Sequence, residues 1–205
     1  HAPGGEVFYA AVWTNDQCEY VIPFFPFLGY ATANKSAINT FRHYARFMNA
    51  GYRPLPSSII AEGTDIWNGA GDRGDAAMCA NGAARYALAR ADRTEAEELW
   101  PFVEWCLEYC RRNRTADGVV ASDSDELEGR FPVGRTNLAT STLYYDALLS
   151  AAALGREIGV KPSQTNAYLR QARELAAAIE RFFGRDVAGY HAYRYSEIND
   201  KLRAW

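Results

Sequence analysis

Residues 61–91 read AEGTDIWNGAGDRGDAAMCANGAARYALARA, and their reading decides the fold. The first half, Ala61 to Asp75, gathers Glu62, Asp65, Asp72 and Asp75 around Trp67 and Asn68, with glycines between. The second half is an alanine-rich run that predicts a helix over 75–90. Small side chains on every face suit a helix packed on several sides, which places it in an inner layer. The loop before it carries carboxylates beside an aromatic ring. Sugar cleavage needs those residue types: an acid to protonate the glycosidic oxygen and a flat ring to hold the apolar face of a pyranose. The same acids could instead cap the helix that follows.

Working outward, helical periodicity runs through most of the chain. A first, aromatic-rich helix is expected over about 16–29, weakened by Pro23 and Pro26. A second, with Ile38, Phe41, Ala45 and Met48 at helical spacing, spans about 36–49 and stops at Gly51. Residues 52–74 form a long loop. Thr94 and Glu97 have the spacing of a capping box and open a helix to about Asn113, with Pro101 inside it. A second polar loop covers 116–136. A second small-residue helix covers 138–158 and ends at Gly159. Ser163 is placed to cap a last amphipathic helix, whose stripe includes Leu169, Ala172, Leu175, Ile179 and Phe183. A third loop over 185–196 follows, and LRAW at 202–205 reads as the start of another inner helix.

The order is periodic: a polar loop, a small-residue helix, a short turn, a charged amphipathic helix. The repeat is on the order of 60 residues, within the range of repeat architectures. Helical hairpins stacked side by side would place one helix of each pair inside and one outside. Their long loops would all emerge on one face. Three hairpins leave open edges at both ends of the stack, so the sequence is expected to be part of a longer chain.

Composition narrows the function classes. The chain has 205 residues, 48% hydrophobic and 14% aromatic, which excludes disorder. A net charge of −3 with interspersed signs offers no nucleic-acid footprint. No apolar run reaches the roughly 20 residues of a membrane span. Cys106 and Cys110, on one helical face, read as buried thiols rather than metal ligands. His1, His43 and His191 have no metal spacing, and neither nucleophile signatures nor a phosphate loop are present. No metal or cofactor is expected, and compartment is left open.

The pattern resembles the six-hairpin, (α/α)6-toroid glycoside hydrolases, which include glucoamylases, debranching α-1,6-glucosidases, trehalases, α-L-rhamnosidases and bile-acid type β-glucosidases. VWTNDQ at 12–17 is similar to the W-x-[RN]-D start of an inner helix in debranching and glucoamylase-like members. TDIWNGAGD at 64–72 resembles the Y-D-x-W of bile-acid type β-glucosidases and the acid-to-W-x-G-D run of rhamnosidases. It departs from the latter, because Asp65 stands where those enzymes usually have Glu and Trp67 is shifted. SDSDELEGRFP at 122–132 looks like a substrate loop of the same fold. The likeness covers nearly the whole chain as architecture and about two dozen residues as motif.

The resemblance implies an all-α fold, about three hairpins of an (α/α)6 toroid, with residues 1–205 forming part of one catalytic domain. It implies hydrolysis of an oligo- or polysaccharide by carboxylate acid/base catalysis, with inversion. Inverting enzymes hold acid and base roughly 6.5–9.5 Å apart. The general acid is assigned to Asp65, with Glu62 next. Partial burial against Trp67 and repulsion from Asp72 would raise the acid's pKa. Trp13 and Trp67 are candidate sugar platforms or core rings. Asp72 with Arg73 reads as a hydroxyl acceptor with an orienting cation, or as a pair pinning the loop. Asn68 and Asp16 are further sugar contacts, and Asp75 reads as a helix cap. Asp123, Asp125, Glu126, Glu128 and Arg130 form a subsite rim or a solvated loop. The base is expected in a hairpin beyond this segment. Two other readings compete: a sugar epimerase of the same fold, which needs paired histidines that only His43 and His191 could supply, and a non-catalytic carbohydrate-binding or scaffold domain.

Overall fold

The computed structural model describes residues 11–61, 65–66, 71–125, 135–184, 194–196 and 202–204. Among them, three helical hairpins stand side by side. The inner layer is a broken helical segment over 15–28, then α3 (Asp75–Arg90) and α5 (Leu138–Ile158). The outer layer is α2 (Ala31–Ala45), α4 (Arg93–Arg112) and α6 (Pro162–Phe183).

The two small-residue runs form the inner helices with the expected bounds. Every residue of α3 from Asp75 to Ala84 is buried, because this helix packs on α4, α5 and the segment at 15–28 together. Contact with that segment is closest at Gly82. A Cβ there would lie 1.9 Å from the Cys18 carbonyl oxygen. On α5, a Cβ at Gly155 would meet Trp100 of α4 and Thr165 of α6. The approach at Gly82 needs glycine, for want of room rather than for backbone freedom.

The first inner segment departs from a plain helix. It runs as a π-helical turn over Asn15–Val21, a 3₁₀ turn over Ile22–Phe24 and a single α-turn, α1, over Phe25–Leu28. Pro23 and Pro26 each lack a backbone N–H, so the ladder changes pitch around them. Cys18 and Ile22 face the core, while Tyr20, Phe24, Phe27 and Tyr30 are exposed. Helix α2 begins and ends earlier than its apolar spacing implies, with Arg42 gripping Glu98 of α4 through two bonds of 2.6 and 2.7 Å.

Two caps differ from expectation. Helix α4 is capped by Asp92, whose carboxylate accepts from the N–H groups of Thr94 and Glu95, so Thr94 lies inside the first turn. An Asp N-cap satisfies two otherwise orphaned donors and favours the positive helix end. Replacing Asp92 by Ala is expected to cost about 1 kcal/mol in urea denaturation, several times the effect of Thr94→Ala. Helix α6 starts at Pro162 after Lys161, without a side-chain cap, and Ser163 lies inside it. Proline at the first helical position gives up a hydrogen bond that would be missing there anyway.

Short strands tie the loops. Strand β1 (Ala11–Trp13) pairs antiparallel with β2 (Ser58–Ile60), Val12 opposite Ile59. Strand β3 (Thr136–Asn137) pairs with β4 (Arg194–Ser196), which pairs with β5 (Leu202–Ala204). The stretch expected to open a further helix is therefore a strand over 202–204. Two β-branched or long residues beside a paired neighbour fit a short ladder, and three residues are too few for periodicity to tell the two apart. No helix among the described residues is long and apolar enough to cross a membrane. Cys18, Cys79, Cys106 and Cys110 are buried free thiols.

Candidate functional site

The loops that precede α3 and α5 meet at the N-terminal ends of these helices. Asp72 and Asp123 stitch them together. The Asp72 N–H donates to Asp123 Oδ2 at 2.9 Å, and the Asp72 carbonyl accepts from the N–H groups of Asp123 (2.8 Å) and Ser124 (3.0 Å). Gly71, at φ +80°, permits this approach, since a Cβ there would lie 2.9 Å from Asp123 Oδ2. The Asp72 side chain is spent inside the protein. Oδ1 accepts from the Gly74 N–H at 2.9 Å and Oδ2 from the Tyr109 hydroxyl at 2.6 Å. Burial raises the Asp72 pKa, while the Tyr109 and Gly74 donors oppose the rise. The expected hydroxyl acceptor is thus a carboxylate that holds the loop.

Asp75 is not a cap either. It is the first residue of α3, only 1% exposed, and the capping position belongs to Gly74 at φ +88°. Asp75 Oδ2 accepts from Ser57 Oγ at 2.8 Å and from the Arg73 N–H at 3.0 Å. Burial, then the nearby Asp72 charge, push its carboxyl up to about 7. Ser57 in turn connects to Thr14 at the end of β1, whose N–H donates to the Ser57 carbonyl at 2.9 Å. The starts of all three inner elements are bound into one polar cluster. Asn137 completes it, accepting the Thr140 N–H at 2.8 Å and donating to Ser122 Oγ at 3.1 Å.

Around this cluster the face opens to solvent. Asp65 is exposed, not half-buried as expected, because it sits at a short bridge between Ile66 and Ile59. Its Oδ1 accepts from the Ile66 N–H at 2.7 Å, and its carbonyl from the Ile60 N–H at 2.9 Å. Asp16 and Asp123 are exposed too, while Trp13 is half-buried in β1. Asp125 is fully buried, so it belongs to neither a rim nor a solvated loop. Arg73 is half-buried beside the cluster. Glu62, Trp67, Asn68, Glu126, Glu128, Arg130 and His191 lie outside the described residues. A hollow of about 280 Å³ opens between the loops, lined by Tyr52, Asp72, Tyr109, Asn113, Asp123 and Arg135 among others. Two larger hollows, of about 590 and 390 Å³, lie along α4 and at the opposite helix ends, and are lined by none of the candidate site residues named from sequence.

Sequence reasoning missed Tyr109 and Ser57, which fix the two buried carboxylates. It also missed a polar group on the inner helices: Asp146 Oδ2 accepts from Asn81 Nδ2 and Arg85 Nε, both at 2.6 Å. The available signal was the rarity of charge within two helices otherwise built of small side chains.

No protein-family model matches the chain, and no curated protein matches its sequence. Solved structures do match in fold. A D-mannose isomerase is 11% identical with a TM-score of 0.65, covering 95% of this chain and 49% of that one. A cellobiose 2-epimerase from Spirochaeta thermophila is 15% identical with a TM-score of 0.65, covering 97% and 50%. A family 105 glycoside hydrolase from C. acetobutylicum is 13% identical with a TM-score of 0.64, covering 94% and 54%. The chain spans about half the length of these structures. Its class is thereby defined by fold: an all-α chain with about three helical hairpins of an (α/α)6 toroid.

Proposed function

We propose that this chain contributes to a carbohydrate-processing enzyme, and that the reaction is hydrolysis of a glycosidic bond. One observation supports this most: each approach to the inner layer carries an exposed carboxylate, Asp16 in the first turn of the segment at 15–28 and Asp65 and Asp123 in the loops before α3 and α5, beside a frame fixed by buried Asp72 and Asp75. Glycosidases need such convergence, since acid and base act from opposite sides of one bond. Asp65 is the proposed general acid, with Glu62 as its neighbour in sequence. Its backbone carbonyl is held by the Ile60 N–H of β2, and its exposed carboxyl has one oxygen accepting from the Ile66 N–H.

An isomerase or epimerase is the second reading, favoured by the D-mannose isomerase and the cellobiose 2-epimerase of like fold. Histidine placement counts against it. His43 lies on α2, an outer helix, where burial and then Arg46 hold its imidazole below the ordinary value. The test is hydrolysis of a panel of aryl glycosides by the wild type and Asp65→Asn. A fall of about 10²-fold or more, with the melting temperature unchanged, is the expected result. Full retention of hydrolysis in Asp65→Asn would remove the acid assignment. Epimerisation of a free sugar without hydrolysis would favour the second reading.

A further inference from the structure

A polar group between α3 and α5 lies away from the loop face: Asp146 of α5 accepts from Asn81 and Arg85 of α3. Tyr144 of α5 donates to Gln171 of α6, and Gly155 abuts Trp100 and Thr165, so that side of α5 faces the outer helices. Asp146 lies two residues after Tyr144, on the opposite side of the helix. It shares that open side with Thr142 and Ala153, both exposed. On α3, Arg85 is exposed where residues from 75 to 84 are all buried. Arg85 and Asp146 lie ten and eight residues into their helices, about 12–15 Å below the loop face at 1.5 Å per residue.

We propose that Asn81, Arg85 and Asp146 form the floor of a sugar-binding subsite that grips the hydroxyls of a neutral pyranose. The proposal rests on the carbohydrate reading above. The bonds between the helices engage Asp146 through Oδ2 and Arg85 through Nε. They leave Oδ1 and the two Nη groups to offer one acceptor and a fork of donors. A vicinal diol matches that set, with one hydroxyl donating to the carboxylate and its neighbour accepting from the guanidinium. The side chains of Arg85 and Asp146 are 54% and 32% exposed, enough to be reached and too much to be core. Because Asp146 neutralises Arg85, the floor has no net charge and gives a sugar carboxylate no advantage. An exposed ion pair contributes little to stability, so the tie between helices does not by itself explain the group.

The test is saturation-transfer NMR titration of the protein with D-glucose, D-mannose, D-galactose and D-glucuronate. Three variants are compared: Asp146→Asn, Arg85→Gln and Thr142→Trp. The last sits one turn above Asp146 and blocks the floor without touching the tie. The expected result is binding of at least one neutral hexose to the wild type, weakened tenfold or more in each variant, with melting temperatures preserved. Wild-type binding that stays within twofold in Asp146→Asn and Thr142→Trp would overturn the floor and leave the carbohydrate reading standing. Tighter binding of glucuronate than of any hexose would overturn the neutral specificity. Absence of binding by all four sugars would overturn the floor together with the reading on which it rests.

Discussion

The Asp75→Asn variant is expected to be more stable than the wild type at pH 8 and to match it near pH 4. Asp75 is enclosed at the start of α3, and its Oδ1 has no hydrogen-bond partner among the described residues. Desolvation and the Asp72 charge make ionisation costly there, lifting its pKa from 3.8 to about 7. In the unfolded chain the same group ionises near its ordinary value. Between pH 4 and pH 7 the native state therefore binds more protons than the unfolded state. Stability falls as pH rises through that window and levels off above it. Integrated over the shift, the loss reaches about 4 kcal/mol. Asn keeps the shape and stays neutral, so the loss is absent. Urea midpoints of both proteins at pH 4, 6 and 8 check this, and their difference cancels every titrating group that does not interact with Asp75. Parallel curves across the range would show that Asp75 is ionised in the folded protein at neutral pH. Asp72 shifts in the same direction, so a residual slope of the same sign is expected in the variant.

That result bears on how the loop face works. A carboxylate pair buried beneath the rim is a fixed frame, and the acids that can meet a ligand stand outside it. Sequence reading could not make this division. Asp65, Asp72 and Asp75 fall within eleven residues of one another, and nothing in their order says that Tyr109 and Ser57 reach two of them. Those partners come from α4 and from the loop beside β2, and only folding brings them together. The Asn81–Arg85–Asp146 group was hidden for the same reason, since its members are 61 and 65 residues apart in sequence.

Two of the inner elements, α3 and α5, by contrast, were legible to the residue. Helical stretches rich in small side chains have few other uses in a chain so rich in aromatics, and Gly159 marks a left-handed stop at φ +86°. Caps were read less well. Thr94 and Ser163 have the right residue type, but Asp92 and Pro162 lie closer to the turns that the chain makes. The strands were invisible because each has three residues or fewer, too short for alternation to register.

Gly82→Ala is expected to destabilise the protein by about 3 kcal/mol or more, lowering the melting temperature by roughly 10 °C. Two effects oppose each other at this position. Alanine is a better helix former than glycine by about 1 kcal/mol in a helix interior. Against that, the new methyl would sit 1.9 Å from the Cys18 carbonyl oxygen and 2.7 Å from its carbon. Both atoms are backbone, so no side-chain rotation relieves the clash, and α3 must move away from the π-helical turn. Cys18 and Ile22 would lose part of their burial in the process. Gly155→Ala provides the contrast. Its Cβ would meet Thr165 Cγ2 at 2.9 Å and the Trp100 ring at 3.0 Å, side-chain atoms that can yield by a few tenths of an ångström. A cost of about 1 kcal/mol or less is expected there. Differential scanning calorimetry of the two variants ranks them. A stabilised Gly82→Ala would mean that helix propensity outweighs the contact, and the tight seat of the first inner segment on α3 would have to be abandoned. A large loss confined to Gly82 would identify that seat as the joint holding Trp13 and Asp16 beside the loop face.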